Sequence, residues 1–430
     1  MTETTSAITQ PSPTPKLQMI CRWLMVAIPA LLVLGPAPAD IAATLIGLSF
    51  LWSSFRQKDW SWCRLPWIRA ALGLWILLLI LSPFAYDVGQ AYEKAIPWPR
   101  LILFAVAVQY WLLDEVWLRR LVGSTAAVLG VVAFDTLWQY WTGNDLLGHP
   151  WYGPDRLNGP FGRPKVGIFL AKLYFPAILG LLAMRLAVRG DGQANTPAVL
   201  AILLGIMLAI SVFLSGERMA FIMIIFGLGL GGLLLRGVFR KILVALLVSG
   251  VLITSGVAVF KHELVGRQID STLDTLAHFK DSPYGELWRN SLHLFSQRPW
   301  TGLGLRNFKL ACDDPEMAVP AIYKERCGTH SHNIYVEWLT ETGLPGLTGF
   351  VVVIFLWGRY IWQGWRTARY RTALTGPVIA ISLMLWPLAT TGSFFTNWNE
   401  VLFWLVLGWA LGVSRLAQSS PPAEGSNISR

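Results

Sequence analysis

Two histidines, His330 and His332, stand on either side of Ser331, just before an apolar run that begins at Ile334. Imidazole has an unperturbed pKa near neutrality, so its neutral form can take a proton from an attacking hydroxyl. Five cations could act with such a base: Arg218 in "SGERMAF", Arg289 in "YGELWRNSLHLFSQR", and Arg156, Arg163 and Lys165 in "RLNGPFGRPK". Arginine stays charged and grips phosphate through paired N–H donors. Fixed cations also stabilise a diphosphate as it leaves with growing negative charge. A His base beside a cationic clamp therefore suits transfer from a lipid-linked diphosphate. Each residue also has a plainer reading. A His at a membrane interface can be an amphipathic anchor, Arg218 can pair locally with Glu217, Arg289 can snorkel, and the loop cations can meet headgroups.

The elements that must position these groups are membrane helices. Of 430 residues, 54% are hydrophobic and 14% charged, against about a quarter charged in soluble domains. The 22 Trp suit a polytopic chain, because indoles collect at both headgroup belts. The formal charge of +10 is scattered between apolar runs rather than clustered, so no nucleic-acid partner is expected. A spanning helix needs about 20 apolar residues. Runs of that kind predict an all-α protein of about twelve spans: 18–36, 39–55, 67–86, 99–114, 119–141, 166–186, 197–214, 219–235, 241–260, 333–357, 373–390 and 398–414. Gly35, Pro36, Ala37 and Pro38 separate the first two by a turn tight enough for a re-entrant hairpin.

Positive charge fixes the orientation. With the N-terminus in the cytoplasm, every inner loop is basic: Arg56, Lys58, Arg64 and Arg69; Arg119 and Arg120; Arg185 and Arg189; Arg236, Arg240 and Lys241; Arg359, Arg366, Arg369 and Arg371; and Arg415. Both termini are then cytoplasmic. Residues 1–17 read as a disordered N-terminus, 18–414 as one transmembrane catalytic domain, and 415–430 as a cytoplasmic tail. Two long outer segments remain, 142–165 and 261–331, the larger lying between spans nine and ten. The first is rich in Gly and Pro and reads as an irregular loop. The second holds an amphipathic helix near 284–298, ended by Pro299.

Cys312 and Cys327 both fall in the large outer loop, where an oxidising periplasm would favour a disulfide over two free thiols. Asp313 with Asp314, or His330 with His332, could suggest a metal, but neither pair has partners at ligand spacing. Nucleotide and hydrolase signatures lack a supporting context, so no cofactor is implied. Intramembrane acids look scarce, Asp135 being the main one.

In order and spacing, "RLNGPFGRP", "SGERMAF", "LWRNSLHLFSQRPWTGLGLRNF" and "HSHNIYVEWLTETGLPG" resemble the O-antigen ligase and O-antigen polymerase superfamily of bacterial membrane glycosyltransferases. The resemblance covers about residues 150–357, with a matching span count outside it. It implies a GT-C-like fold and a metal-independent, inverting transfer of a glycan from undecaprenyl diphosphate on the periplasmic face of the inner membrane. By motif, Arg218 and Arg289 would hold the diphosphate and His332 would be the base. His330 would assist or line the pocket, and Arg156, Arg163 or Lys165 would complete the clamp. Two positions depart from the pattern. Glu217 stands where the family commonly has Ser, and "RPK" replaces an Asn-Pro-Asn element.

Three acceptors fit such a chain: lipid A-core for a ligase, a second lipid-linked repeat for a polymerase, or protein Ser or Thr for an oligosaccharyltransferase. One large outer loop and the short stretch after Arg415 favour the ligase, with lipid A-core as partner. A lipid-linked sugar flippase is the alternative from another class, but it would need paired repeats with broken helices at the midplane.

Overall fold

The computed structural model describes residues 15–153, 156–187, 196–260, 269–317, 327–367 and 370–419. The N-terminal segment to residue 14, the tail beyond Ser419, and Arg189 and Arg369 lie outside the described residues. Sixteen α-helices are named here in chain order. They are α1 Pro15–Leu34, α2 Pro36–Gln57, α3 Pro66–Leu81, α4 Val88–Ala95, α5 Pro99–Ala107, α6 Glu115–Thr142, α7 Val166–Ala187 and α8 Thr196–Leu214. Then come α9 Arg218–Leu234, α10 Gly237–Phe260, α11 Ser271–Ala277, α12 Pro283–Gln297, α13 Phe308–Asp313, α14 Ile334–Trp365, α15 Arg371–Met384 and α16 Asn397–Ser419. No sheet occurs among the described residues, only an isolated bridge between Asn144 and Pro150.

Local chemistry explains many of the helix starts. Proline, whose fixed φ suits the first helical turn, opens α2, α3, α5 and α12. Side-chain caps open others: Asp87 accepts from Gln90 N, Asp114 from Trp117 N, and Asn333 from both Tyr335 N and Val336 N. Each such bond satisfies an N–H that the helix itself leaves unpaired.

All twelve predicted runs fall on helices, but nine helical stretches among the described residues are long and apolar enough to cross a membrane. For two of the three runs not counted, α9 and α15, the cause is physical. The 17 residues of α9 rise about 25 Å at 1.5 Å each, short of a hydrocarbon core of about 30 Å. The predicted run 373–390 stops as α15 at Met384, because Pro387 cannot continue a helix and biases Trp386 away from helical geometry. Residues 385–396 are irregular chain instead. The last span, in turn, continues as helix to Ser419 rather than ending near 414.

The bundle is built around α7 and α16, whose apolar windows are each 89% buried, against 33% for α1 and α3. Between α5, α14 and α16 lies an aromatic core: Trp338 stacks on Phe350 at 4.3 Å, and Trp98 meets Trp404 edge-on at 5.7 Å. Burial of such rings supplies much of the packing energy.

The connections sort onto two ends. One end gathers the chain around Tyr86, the 142–165 loop, the turn at 215–217, helices α11 to α13 and residues 385–396. It is held together by Tyr86 N to Leu303 O, Leu157 N to Ser215 O and Thr391 N to His332 O. The opposite end carries Arg22 paired with Asp114, Arg120 over Trp117, and Arg415 bonded to Gln109 O and Leu113 O.

Candidate functional site

The histidines sit on the short turn leading into α14. Their ring centroids are 4.0 Å apart, and the Tyr284 ring of α12 meets His332 edge-on at 5.7 Å. His332 adopts φ 55, a conformation uncommon for residues other than glycine. That turn is held on one side by Thr391 N donating to His332 O at 2.9 Å. On the other, Asn333 caps α14 and donates through Nδ2 to Pro387 O at 2.6 Å.

Hydrogen-bond accounting separates the two rings. His330 Nε2 lies 3.2 Å from the Thr391 carbonyl and Nδ1 lies 2.8 Å from Thr329 Oγ1. A carbonyl only accepts, so Nε2 carries the proton, and Nδ1 accepts from the Thr329 hydroxyl. Both ring nitrogens of His330 are therefore engaged. His332 is also bonded by the Thr391 backbone, and no other hydrogen bond of its ring occurs among the described residues. Burial pushes the His330 pKa down to about 4, helped by His332 and opposed by the Thr391 carbonyl. Burial lowers His332 too, so both rings are neutral at pH 7.

Residues 385–396 form a strap across this turn. Tyr335 OH donates to Leu385 O at 2.7 Å, and Phe394 N donates to the Glu337 carboxylate at 2.7 Å. These bonds, with those at Thr391 and Pro387, fix the strap to the first turn of α14.

Behind the turn, α14 breaks at Gly343, where φ is 66. Pro345 has no N–H to give to the Glu341 carbonyl, and that carbonyl accepts instead from Gly304 N at 2.8 Å. Leu303 N bonds Thr340 O at 3.0 Å, and Leu344 N bonds Pro299 O at 2.9 Å. The segment "RPWTGLGLRNF" thus interlocks with "TETGLPG". The fit requires glycine: a Cβ on Gly302 would lie 2.5 Å from the Glu341 carbonyl, and one on Gly343 would lie 2.8 Å from Pro299 O.

The predicted cations divide into two groups. Arg218 opens α9 and its Nη1 donates to Thr275 Oγ1 of α11 at 3.2 Å. Arg289 lies half-buried on α12, the helix that brings Tyr284 to His332. The turn Phe279–Asp281 connects α11 to α12, so a single segment ties both arginines to the site. Arg156 and Arg163 are exposed on the first loop, and neither is ion-paired among the described residues. Lys165 is half-buried and faces the Trp398 ring at 5.3 Å. Cys312 of α13 is bonded to Cys327, with Cα atoms 5.6 Å apart.

Residues 202–351 match the family described as O-antigen ligase. This is an O-antigen ligase family domain. The family is one of glycosyltransferases, and the matched stretch holds Arg218, Arg289, His330 and His332. Arg156, Arg163, Lys165 and the strap lie outside it. No match to the chain exists among curated proteins.

Several residues around the O-antigen ligase domain are not apparent from sequence. Glu217 does not serve as a simple partner for Arg218: its carboxylate accepts Gly167 N at 2.7 Å and Ile168 N at 3.1 Å, capping α7. Burial raises its pKa to about 7, against the pull of those two N–H groups, Arg156 and Lys172. Asp135 is likewise taken up locally, accepting Leu146 N at 2.7 Å. Intramembrane acids are not scarce either: Glu337, Glu341 and Glu400 are each at most 2% exposed. Their signal was weak because acids in helical runs usually mark solvated faces.

Proposed function

We propose that the chain is an O-antigen ligase. It moves a glycan from undecaprenyl diphosphate to a hydroxyl of lipid A-core on the periplasmic face, without metal and with inversion. The observation that carries this is the arrangement of His332: a neutral ring, oriented by Thr391, beside a His330 whose nitrogens are both engaged. His332 takes the proton from the acceptor hydroxyl as its oxygen attacks the anomeric carbon. The carbon–oxygen bond to the diphosphate breaks, and the diphosphate leaves with the electron pair. Arg218 and Arg289 hold it, with Lys165, Arg156 or Arg163 completing the clamp.

Two observations support this side of the membrane. The Cys312–Cys327 disulfide sits at the same end as the histidines and suits an oxidising compartment, while basic residues crowd the other end. Both termini are then cytoplasmic.

The test is transfer by purified protein in liposomes with chelator present. Undecaprenyl-diphosphate glycan is offered with either lipid A-core or a second donor molecule. Product on lipid A-core that vanishes with His332→Ala supports the ligase. Longer chains on the carrier instead would make it a polymerase, and no product with donor binding intact would count against both.

A further inference from the structure

Among the described residues two lysines are buried, Lys94 and Lys172, and their partners differ. Lys94 Nζ lies 2.5 Å from Glu400 Oε2, and Arg100 pairs with Asp40 at 2.8 Å. Lys172, in the second turn of α7, is 5% exposed. Its Nζ donates to the neutral amide oxygen of Asn399 at 3.0 Å and sits 5.7 Å from the Trp398 ring centroid. Lys165 faces the same indole. Among the described residues neither lysine has a carboxylate at ion-pair distance. Glu217, whose charge acts on Lys172, gives both carboxylate oxygens to the α7 N–H groups. Arg163 adds further positive charge beside Lys165.

A buried ammonium is costly unless an opposite charge returns the lost hydration. One amide oxygen and one indole face return only part of it. The α7 N-terminus is not the attraction, since Glu217 already caps it. What remains is a seat of two lysines on one ring, with no carboxylate at ion-pair distance among the described residues.

The seat also adjoins the histidines. Asn399, which holds Lys172, donates through Nδ2 to Ser393 O at 2.8 Å and Thr396 Oγ1 at 3.1 Å. Ser393 belongs to the strap whose Thr391 orients the imidazoles. We propose that Lys165 and Lys172, seated on Trp398, form an anion-binding pair that takes a phosphoryl group beside the histidine turn. The phosphoryl group belongs either to the lipid diphosphate donor or to a phosphorylated saccharide acceptor. Naming those sources rests on the transferase reading above, whereas affinity for phosphate does not.

The experiment is calorimetric titration of the purified full chain in detergent with inorganic pyrophosphate. Wild type is expected to bind in a salt-sensitive manner, and Lys172→Met to weaken binding about tenfold or more, the loss of one charge-assisted hydrogen bond. Lys165→Met should weaken it as well. Unchanged affinity in both variants overturns the proposal, and if Lys172→Met yields no folded protein, unchanged affinity in Lys165→Met alone does so. Displacement of pyrophosphate by undecaprenyl diphosphate assigns the donor, and displacement by a phosphorylated saccharide assigns the acceptor. Displacement by neither overturns the pair as a substrate site. Lysine-dependent binding in a protein that transfers no glycan would keep the anion pair and remove the ligase reading.

Discussion

The Glu337 carboxylate accepts the backbone N–H of Phe394 at 2.7 Å, and this bond joins the first turn of α14 to the strap carrying Thr391. Thr391 O in turn bonds His330, and Thr391 N bonds His332 O. A buried acid on the first turn of α14 therefore helps to fix the geometry of the proposed base through the strap. Glu337→Leu should leave the Phe394 N–H unpaired, costing about 1–3 kcal/mol of stability. It should also lower kcat by up to about a hundredfold through misplacement, with donor KM little changed. Glu337→Gln keeps an acceptor oxygen and should restore most of kcat. Equal loss in the two variants would refute a positioning role.

His332 and His330 should differ in kind. Removing a general base typically costs about 10²–10⁴ in rate, so His332→Ala should fall in that range with donor binding intact. His330→Ala should cost less, since both its nitrogens already serve the turn. Single-turnover transfer measures the two, and a greater loss for His330→Ala would reverse the assignment.

The pH dependence follows from burial. A His pKa lowered below about 6.5 keeps the base form populated into mild acid. The acid limb of kcat/KM should accordingly lie below that of a free imidazole. The same burial affects stability. His330 is neutral when folded down to about pH 4, whereas the unfolded chain protonates near 6.5. Stability from this group is intact above about 6.5 and declines as pH falls toward 4. A kcat/KM limb at or above 6.5 would contradict the neutral buried site.

The interlock predicts a contrast between glycines. Gly302→Ala places a Cβ against backbone at 2.5 Å and should destabilise by about 1–3 kcal/mol or more. Gly73→Ala, on α3 with nothing within 4 Å, should be neutral or stabilising by up to about 1 kcal/mol. Thermal melts of both variants in detergent give the comparison, and equal shifts would deny the interlock.

Orientation can be tested with the less buried of the two free thiols, Cys63, after Cys21→Ser. Cys63 is half-buried next to Trp62, which bonds Ser54 at the basic end. A membrane-impermeant maleimide should label it only after the inner membrane is opened. Labelling in intact spheroplasts would invert the topology.

The helices were legible because apolar runs of membrane length carry a strong signal, and the two histidines because they stand directly before one. The strap was not. Residues 385–390 are apolar enough to join the preceding run, and only Pro387 hints that the helix has ended. Its role comes from tertiary hydrogen bonds that have no periodicity. Lys172 and Glu337 were missed for a related reason: each lies within a helical run, where one charge reveals neither its burial nor its partner. Glu217 was visible as a departure, but its partners are Gly167 and Ile168, far away in sequence.

The exchange of hydrogen bonds at Gly343 has a mechanical consequence. Because α14 gives its Thr340 and Glu341 carbonyls to Leu303 and Gly304, residues 299–304 complete the helix as a neighbouring turn would. This stretch between α12 and α13 cannot swing as a flap without unravelling the span beneath it. Any motion that admits a lipid tail must pivot elsewhere, with 299–304 and the histidine-bearing end of α14 travelling as one body.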